Sequence, residues 1–209
     1  MFRPDHVMIE TADPEGACAR FRERFDLPLA WPWTPGTDYD SVGVGLGGLN
    51  VEFIRFRTRF GEPVSGAREG LGGLAFEVVG SWDDALSGLE RRNVPHFVGE
   101  DISAHTTVPL GGDRHAVVPF LVRYKFDTSG WRARLDREFA ACGGGRFGLR
   151  PGPRCVLGRA FEAWRSLFPA LGFDPDLEGL RIEFGATAPD PDVGRSFGFM
   201  GVEFALAPA

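Results

Sequence analysis

The chain has 209 residues, of which 43% are hydrophobic, 12% aromatic and 25% charged, and its formal net charge is −6. This composition is too apolar for a disordered chain, and the acidic balance argues against a nucleic-acid-binding protein, which needs a basic surface. No stretch approaches the roughly 18–20 apolar residues of a membrane span. Three cysteines without a CxxC pair predict reduced thiols and a cytoplasmic protein.

The first 60 residues predict a βαβββ unit. Residues 6–9 form a short apolar run typical of a strand, and Asp13-Pro14 then provides a helix N-cap with proline in the first turn. Phe21 and Phe25 lie four positions apart, which predicts a helix with one buried face. Three further strands are predicted at 27–31, 41–46 and 49–56.

A second unit follows with a similar order of elements. They are a strand at 74–79, a helix capped by Ser81, and strands at 94–98 and 116–126. Pro119 predicts that the last of these strands lies at an edge, because proline cannot donate to a central ladder. Residues 99–115 are either an irregular strand or a loop.

The last third of the chain repeats the pattern less completely. Its predicted elements are helices at 129–141 and 160–171 and strands at 154–157, 180–184 and 199–206. A tripeptide of a β-branched residue, Glu and Phe occurs three times in the chain, as Val51-Glu52-Phe53, Ile182-Glu183-Phe184 and Val202-Glu203-Phe204. This recurrence indicates an internal repeat.

We therefore expect a single α+β domain over residues 1–209, built from repeated βαβββ modules. Residues 1–60 form the first module and residues 71–126 the second. Residues 127–209 add a helix and a partial third βαβββ-like unit.

The first module resembles a known superfamily. The run Asp5-His6-Val7-Met8-Ile9, the helix that begins at Asp13-Pro14 and the tripeptide Val51-Glu52-Phe53 are similar to the first module of the vicinal oxygen chelate superfamily. Glyoxalase I, bleomycin-resistance proteins and extradiol dioxygenases belong to it, and the second half resembles glyoxalase-like domain proteins. The resemblance implies a curved mixed sheet around a cleft, in which each module contributes a His and a Glu to a divalent metal.

The resemblance assigns metal ligands in the first module only. His6 and Glu52 match the first His and Glu, whereas Gly73 stands where the second His is expected. The spacing from His6 to Glu52, applied from Gly73, leads to Pro119, and neither Gly nor Pro can ligate through its side chain. His115 is taken as the third ligand, with His105 as the open alternative. Imidazole and carboxylate ligands suit one Fe, Zn, Ni or Mn ion, and a metal-free cleft is the alternative.

Four further residues are candidates for binding a substrate. Trp31 and Trp33 are expected to form aromatic walls, Arg114 to clamp a carboxylate or phosphate, and Glu203 to contact the substrate. Glu52 and His115 are the candidate catalytic residues. We expect a small-molecule enzyme, a metal-dependent lyase, isomerase or dioxygenase acting on vicinal oxygens.

A metal-free protein that sequesters a drug or metabolite, as bleomycin-resistance proteins do, is the alternative function. Loss of the second His and Glu favours it. The partner in both cases is a small molecule, with neither nucleic acid nor membrane, and a monomer and a homodimer are both open.

Overall fold

The computed structural model describes residues 2–59, 62–66, 68–111, 118–187 and 192–208. The strands in this part of the chain are β1 (Phe2–Glu10), β2 (Leu29–Thr34), β3 (Tyr39–Gly45), β4 (Asn50–Phe56), β5 (Thr58–Arg59), β6 (Glu62–Pro63), β7 (Gly70–Val78), β8 (His105–Pro109), β9 (Val118–Tyr124), β10 (Arg154–Leu157), β11 (Gly172–Phe173), β12 (Leu180–Ala186), β13 (Ser196–Phe199) and β14 (Val202–Pro208). The α-helices are α1 (Pro14–Phe25), α2 (Trp82–Arg91) and α3 (Ser129–Ala141), and 3-10 helices cover Gly145–Phe147 and Arg159–Trp164. None of these helices is both long and apolar enough to cross a membrane.

The two predicted helix caps form as the sequence indicates. The Asp13 side chain accepts a hydrogen bond from the backbone N–H of Gly16, and the Ser81 side chain accepts one from Asp84. Each cap satisfies a backbone donor that the first helical turn leaves without a partner. These local signals therefore place the starts of α1 and α2.

The first sheet has seven strands in the order β2-β3-β4-β1-β7-β9-β8. β1 runs parallel to β4, β7 runs parallel to β9, and β1 and β7 pair antiparallel at the centre. This is the mixed sheet of paired modules that the sequence predicts, and the α+β fold class is confirmed.

The described part of the second module has three strands, but one of them is not where the sequence predicts it. The segment predicted as a strand at 94–98 makes only an isolated bridge, between His96 and Leu110. The undecided stretch 99–115 contains β8 instead, which forms the edge of the sheet. Pro95, the second residue of the predicted strand, has no backbone N–H to donate to a ladder. The edge position predicted from Pro119 is wrong, since β9 lies between β7 and β8.

A second sheet, of five strands, has the order β11-β10-β12-β14-β13. From β13 to β11 its strands pair antiparallel, parallel, antiparallel and parallel. The same sequence of directions runs from β3 through β4, β1 and β7 to β9 in the first sheet. The last third of the chain thus contains a reduced copy of the first sheet, with the order of the two halves along the chain exchanged.

The repeated tripeptide falls on different kinds of strand. Val202-Glu203-Phe204 lies on β14, which corresponds to β4, whereas Ile182-Glu183-Phe184 lies on β12, which corresponds to β1. The helix predicted at 160–171 is a 3-10 helix at Arg159–Trp164 followed by turns. Pro169 explains the difference, because its ring and missing N–H disfavour an α-helix through that position.

Aromatic side chains join α1, the first sheet and the second sheet in one core. The rings of Phe21 and Phe25 on α1 stack with centroids 4.4 Å apart, and both contact Phe204 of β14. Farther along, Phe76 of β7 stacks on Phe168 at 3.9 Å. The outer face of the first sheet is therefore covered by the chain itself, which leaves the opposite face for a cavity.

Two glycines after α3 provide a test of how this core closes. Gly143 and Gly145 both have positive φ, but a Cβ on Gly145 would lie 2.2 Å from the carbonyl oxygen of Phe25, whereas nothing lies within 4 Å of one on Gly143. We expect Gly143→Ala to cost roughly 1–2 kcal/mol for the left-handed backbone alone. Gly145→Ala should cost roughly 1–3 kcal/mol more, because the end of α1 must shift. Urea denaturation followed by circular dichroism measures both, and equal losses would contradict the packing described.

Candidate functional site

His6 and Glu52 meet on the open face of the first sheet. β1 directs Val7 and Ile9 into the core and turns His6 to the other side, since successive side chains of a strand alternate. β4 pairs with β1 so that Glu52 lies beside Met8, which is two positions after His6 and on the same face of the sheet. His6 Nε2 and Glu52 Oε2 are 3.4 Å apart, and both side chains are largely buried.

Asp5 holds the other side of the imidazole. Its carboxylate is fully buried and lies 2.8 Å from His6 Nδ1. The same carboxylate accepts hydrogen bonds from the Tyr124 hydroxyl at 2.7 Å and from the Arg132 guanidinium at 2.8 Å. Arg132 in turn pairs with Glu77 of β7 at 2.8 Å. Four elements of the fold thus fix the orientation of one ring.

These contacts determine the charge of the pair. Burial by itself would lower the pKa of His6, but the hydrogen bonds to Asp5 and Glu52 and their negative charges raise it to about 10. Burial would raise the pKa of Asp5, and its hydrogen bonds to His6, Arg132 and Tyr124 instead hold it well below its usual range. At neutral pH the site therefore contains an imidazolium between two carboxylates.

A cavity of about 940 Å³ opens above this floor. Its walls are mostly apolar and aromatic, and include Trp31, Ile54, Phe56, Phe97, Phe120, Val122, Tyr124 and Trp131. The Trp31 indole N–H donates to Ser41 at 3.1 Å, and its ring faces that of Trp131 at 6.3 Å. A large apolar cavity with a few polar groups at its base has the form of a small-molecule site.

A second His–Glu pair lies on the wall. His105 Nε2 is 2.6 Å from Glu100 Oε2, and both residues line the cavity. Since the two side chains bind each other, His105 enters the cavity without joining His6. This answers where His105 lies, which the sequence left open.

The structure brings some predicted site residues together and not others. His6, Glu52 and Trp31 line the cavity. Trp33 is not among its lining residues and packs against the hydrophobic core. Residues two positions apart share a face in a regular strand, but the pairing of β2 with β3 shifts register between Trp31 and Thr34. Glu203 lies on β14 in the second sheet, where it pairs with Arg181 at 3.1 Å, so the fold does not bring it to this site. Arg114 and His115 lie outside the described residues.

The position opposite Glu52 in the second module is corrected by the strand register. Met8, two positions after His6, pairs with Glu52, whereas Ala75, two positions after Gly73, pairs with Phe120. The corresponding residue is therefore Phe120, not Pro119. A shift of one residue in a strand turns the side chain to the other face. The Phe120 ring lies 5.5 Å from that of His6, so an aromatic ring stands where a second carboxylate was lost.

Two ligands of the implied metal site are in place. The 3.4 Å between His6 Nε2 and Glu52 Oε2 is near the roughly 3.0–3.4 Å expected between neighbouring ligands that bind one ion at about 2.0–2.1 Å. Asp5 also orients His6 as carboxylates orient metal-binding imidazoles. However, catalytic zinc sites use three protein ligands, and the described residues contain no group of three His, Cys, Asp or Glu side chains able to hold an ion. The described residues would therefore supply two ligands, His6 and Glu52, to an ion of this kind.

Tyr124 and Arg132, which bind Asp5 beneath the candidate site, were missed by the sequence analysis. They lie 119 and 127 positions from Asp5 along the chain. The predicted helix over 129–141 carried the only signal, since a helix rich in Trp and Arg after a strand suggested an addition to the module. No spacing rule connects it to Asp5.

Comparisons with solved structures agree on the fold. A hypothetical protein from Staphylococcus aureus is 9% identical, and the two chains cover each other completely with a TM-score of 0.60. Methylmalonyl-CoA epimerase from Mycobacterium tuberculosis is 14% identical over 57% of this chain and 86% of its own, with a TM-score of 0.46. A catechol 2,3-dioxygenase is 9% identical over 88% of this chain and 70% of its own, with a TM-score of 0.45. No protein-family model and no curated protein sequence matches this chain. At these identities the similarity concerns the fold alone.

Replacing Asp5 tests the network beneath the site. Asp5→Asn keeps the shape but removes the buried anion between His6 and Arg132, so we expect the free energy of unfolding to fall by roughly 3–5 kcal/mol. The exposed Glu90 on α2 provides the control, since Glu90→Gln should change it by less than about 0.5 kcal/mol. Chemical denaturation measures both variants. An Asp5→Asn protein as stable as the control would show that Asp5 does not hold the site together.

Proposed function

We propose that this protein, which has the fold of the vicinal oxygen chelate superfamily, is an enzyme that moves a proton on a neutral, largely apolar small molecule. Glu52 acts as the base and His6 stabilises the oxygen that becomes negatively charged. The observation that carries the proposal is the buried His6–Glu52 pair, 3.4 Å apart, at the base of a cavity of about 940 Å³. The three free cysteines support a place in the cytoplasm.

The chemistry follows from the charges of the pair. Glu52 takes a proton from a carbon next to a carbonyl group, the C–H electron pair forms a carbon–carbon double bond, and the carbonyl oxygen becomes an enolate oxygen. His6 is an imidazolium, because Asp5 and Glu52 overcome the effect of burial and raise its pKa to about 10. Once protonated, Glu52 no longer attracts the Nε2–H of His6, which then donates to the enolate oxygen. Return of the proton completes an exchange or an isomerisation.

The field inside the cavity favours a neutral substrate. Burial raises the pKa of Tyr39 on the cavity wall, and the negative charges of Glu100, Glu52 and Asp38 raise it further. Arg59 is the one arginine that lines the cavity in the described part of the chain, and it is paired with Glu10 at 2.6 Å. Because a carboxylate ligand would meet the same repulsion as a Tyr39 phenolate, we expect an uncharged carbonyl compound.

Glu52→Gln tests the proposed reaction. The probe is 2-hydroxyacetophenone, a neutral aromatic ketone with vicinal oxygens, and exchange of its methylene protons in D₂O is followed by NMR. Glu52→Gln should lower the protein-catalysed exchange by about 10²-fold or more, since it removes the base. His6→Gln should lower it by roughly 10²–10³-fold, as loss of an oxyanion donor does.

Glu203 offers a matched control for this experiment. It belongs to the same tripeptide as Glu52 but lies on the second sheet, paired with Arg181, so Glu203→Gln should exchange the probe at the wild-type rate. If the wild-type protein binds the probe in calorimetry but does not catalyse exchange, the enzyme hypothesis is overturned and the sequestering function is favoured. The charge argument fails if benzoylformate, the corresponding carboxylate, binds more tightly than the neutral ketone.

A divalent metal held by His6 and Glu52 is the second candidate, favoured by the separation of their ligand atoms and by the orientation that Asp5 imposes. With His115 as third ligand, Fe, Zn, Ni or Mn there would supply a Lewis acid for a substrate oxygen. Elemental analysis separates the two candidates. Stoichiometric metal that is lost from both His6→Ala and Glu52→Ala would favour the metal-dependent enzyme. Proton exchange of the probe, catalysed by protein that takes up none of these added ions, would favour the metal-free enzyme.

A further inference from the structure

The exposed hydrophobic side chains gather at the mouth of the cavity. Among the described residues, four large hydrophobic side chains are exposed, and three of them, Val98, Ile102 and Phe126, also line the cavity. Val98 is 62% exposed, Phe126 50% and Ile102 40%. Residues that both line a cavity and face water lie where it opens, so these three form an apolar rim. Thr34 and Asp38 also line the cavity and are exposed, so the apolar rim forms one part of the mouth.

The apolar rim is held in position by hydrogen bonds. Lys125, the one lysine of the chain, reaches both the Asp101 carboxylate and the Ile102 carbonyl oxygen at 2.6 Å. Its backbone N–H donates to Ala104 at 2.9 Å. Phe126 follows directly, with its ring 5.5 Å from that of Tyr124. The residues of the rim are therefore exposed in a hydrogen-bonded part of the fold, which includes the hairpin that ends in β8.

The cavity has a charged pair at its floor and an apolar rim at its mouth. The floor holds the charged pair His6–Glu52, whereas the polar groups on the wall satisfy one another, as Glu100 does with His105. At the mouth, Val98, Ile102 and Phe126 bring apolar surface into contact with the solvent. A small aromatic molecule bound at Glu52 would leave this rim in water, where apolar surface is unfavourable.

We infer that the substrate is a long amphipathic molecule, with a neutral hydroxyl or carbonyl head at Glu52 and an apolar tail that covers Val98, Ile102 and Phe126. This inference rests on the proposed function and names its substrate class. A chain or fused-ring body of this kind follows the walls from the polar floor to the apolar rim. The tail removes from water the exposed patch that the folded chain leaves uncovered.

A chain-length series tests the inference. The probes are 4-ethylphenol to 4-hexylphenol, whose hydroxyl group donates to Glu52, and their affinities are measured by titration calorimetry. We expect the affinity to rise about fourfold with each added methylene, the value for full burial. In Val98→Ser/Ile102→Ser the affinity for 4-hexylphenol should fall at least about fivefold more than that for 4-ethylphenol. Val79 is equally exposed but does not line the cavity, so Val79→Ser should retain the wild-type dependence.

The outcomes separate this inference from the proposed function. An affinity that stops rising at propyl, or an equal loss across the series in Val98→Ser/Ile102→Ser, overturns the amphipathic substrate and leaves the role of Glu52 intact. A Glu52→Gln protein that binds every probe as tightly as wild type overturns the head-group contact and with it the proposed function. Dimerisation of the wild-type protein that is abolished in Val98→Ser/Ile102→Ser would assign the rim to a second copy of the chain and overturn the tail contact.

Discussion

The buried carboxylate of Asp5 is the group on which the site depends. It accepts hydrogen bonds from a neighbouring imidazole, a tyrosine of β9 and an arginine of α3, and thereby ties the first module, the second module and the added helix together. A buried charge is stable only where such partners surround it. The arrangement holds His6 beside Glu52, and the charge of the cavity floor therefore depends on Asp5, which does not itself line the cavity.

The second module has no His–Glu pair at the positions that correspond to His6 and Glu52. Where a symmetric module would place a carboxylate, Phe120 presents a ring to His6. Val122 and Tyr124 continue that wall on the same strand. The floor beside β1 and β4 is thus charged, whereas the wall that β9 forms is apolar and aromatic. Such a division suits a molecule with one polar end better than one that is polar throughout.

The second sheet gives the first sheet its stability on the side away from the cavity. The two sheets have the same pattern of strand directions, and they pack through phenylalanines of α1, β7 and β14. A curved sheet of this kind needs its outer face covered, and a reduced copy of the same unit covers it within one chain. Glu203, on the strand that corresponds to β4, has become part of a surface ion pair with Arg181. The second sheet therefore repeats the strand arrangement of the first sheet but has no counterpart of the His6–Glu52 site.

Much of the architecture could be predicted from local signals. The caps at Asp13 and Ser81, the alternating residues of β1 and β4 and the His6–Glu52 pair depend on neighbours in sequence or on one parallel strand pairing, and all appear as expected. The sequence failed where one position decided the outcome. Pro169 converted a predicted α-helix into a short 3-10 helix, and a register shift of one residue exchanged Pro119 for Phe120.

The sequence by itself determined the fold class, the strand that carries His6 and the strand that carries Glu52. Only the tertiary structure decided what surrounds them. The Asp5 network joins residues 119 and 127 positions apart, and the apolar rim joins residues from two separate segments. Strand and helix signals are local and survive in a single sequence. Contacts between distant segments arise from how the sheet curls and where the added helix docks, and no periodicity in the chain encodes either.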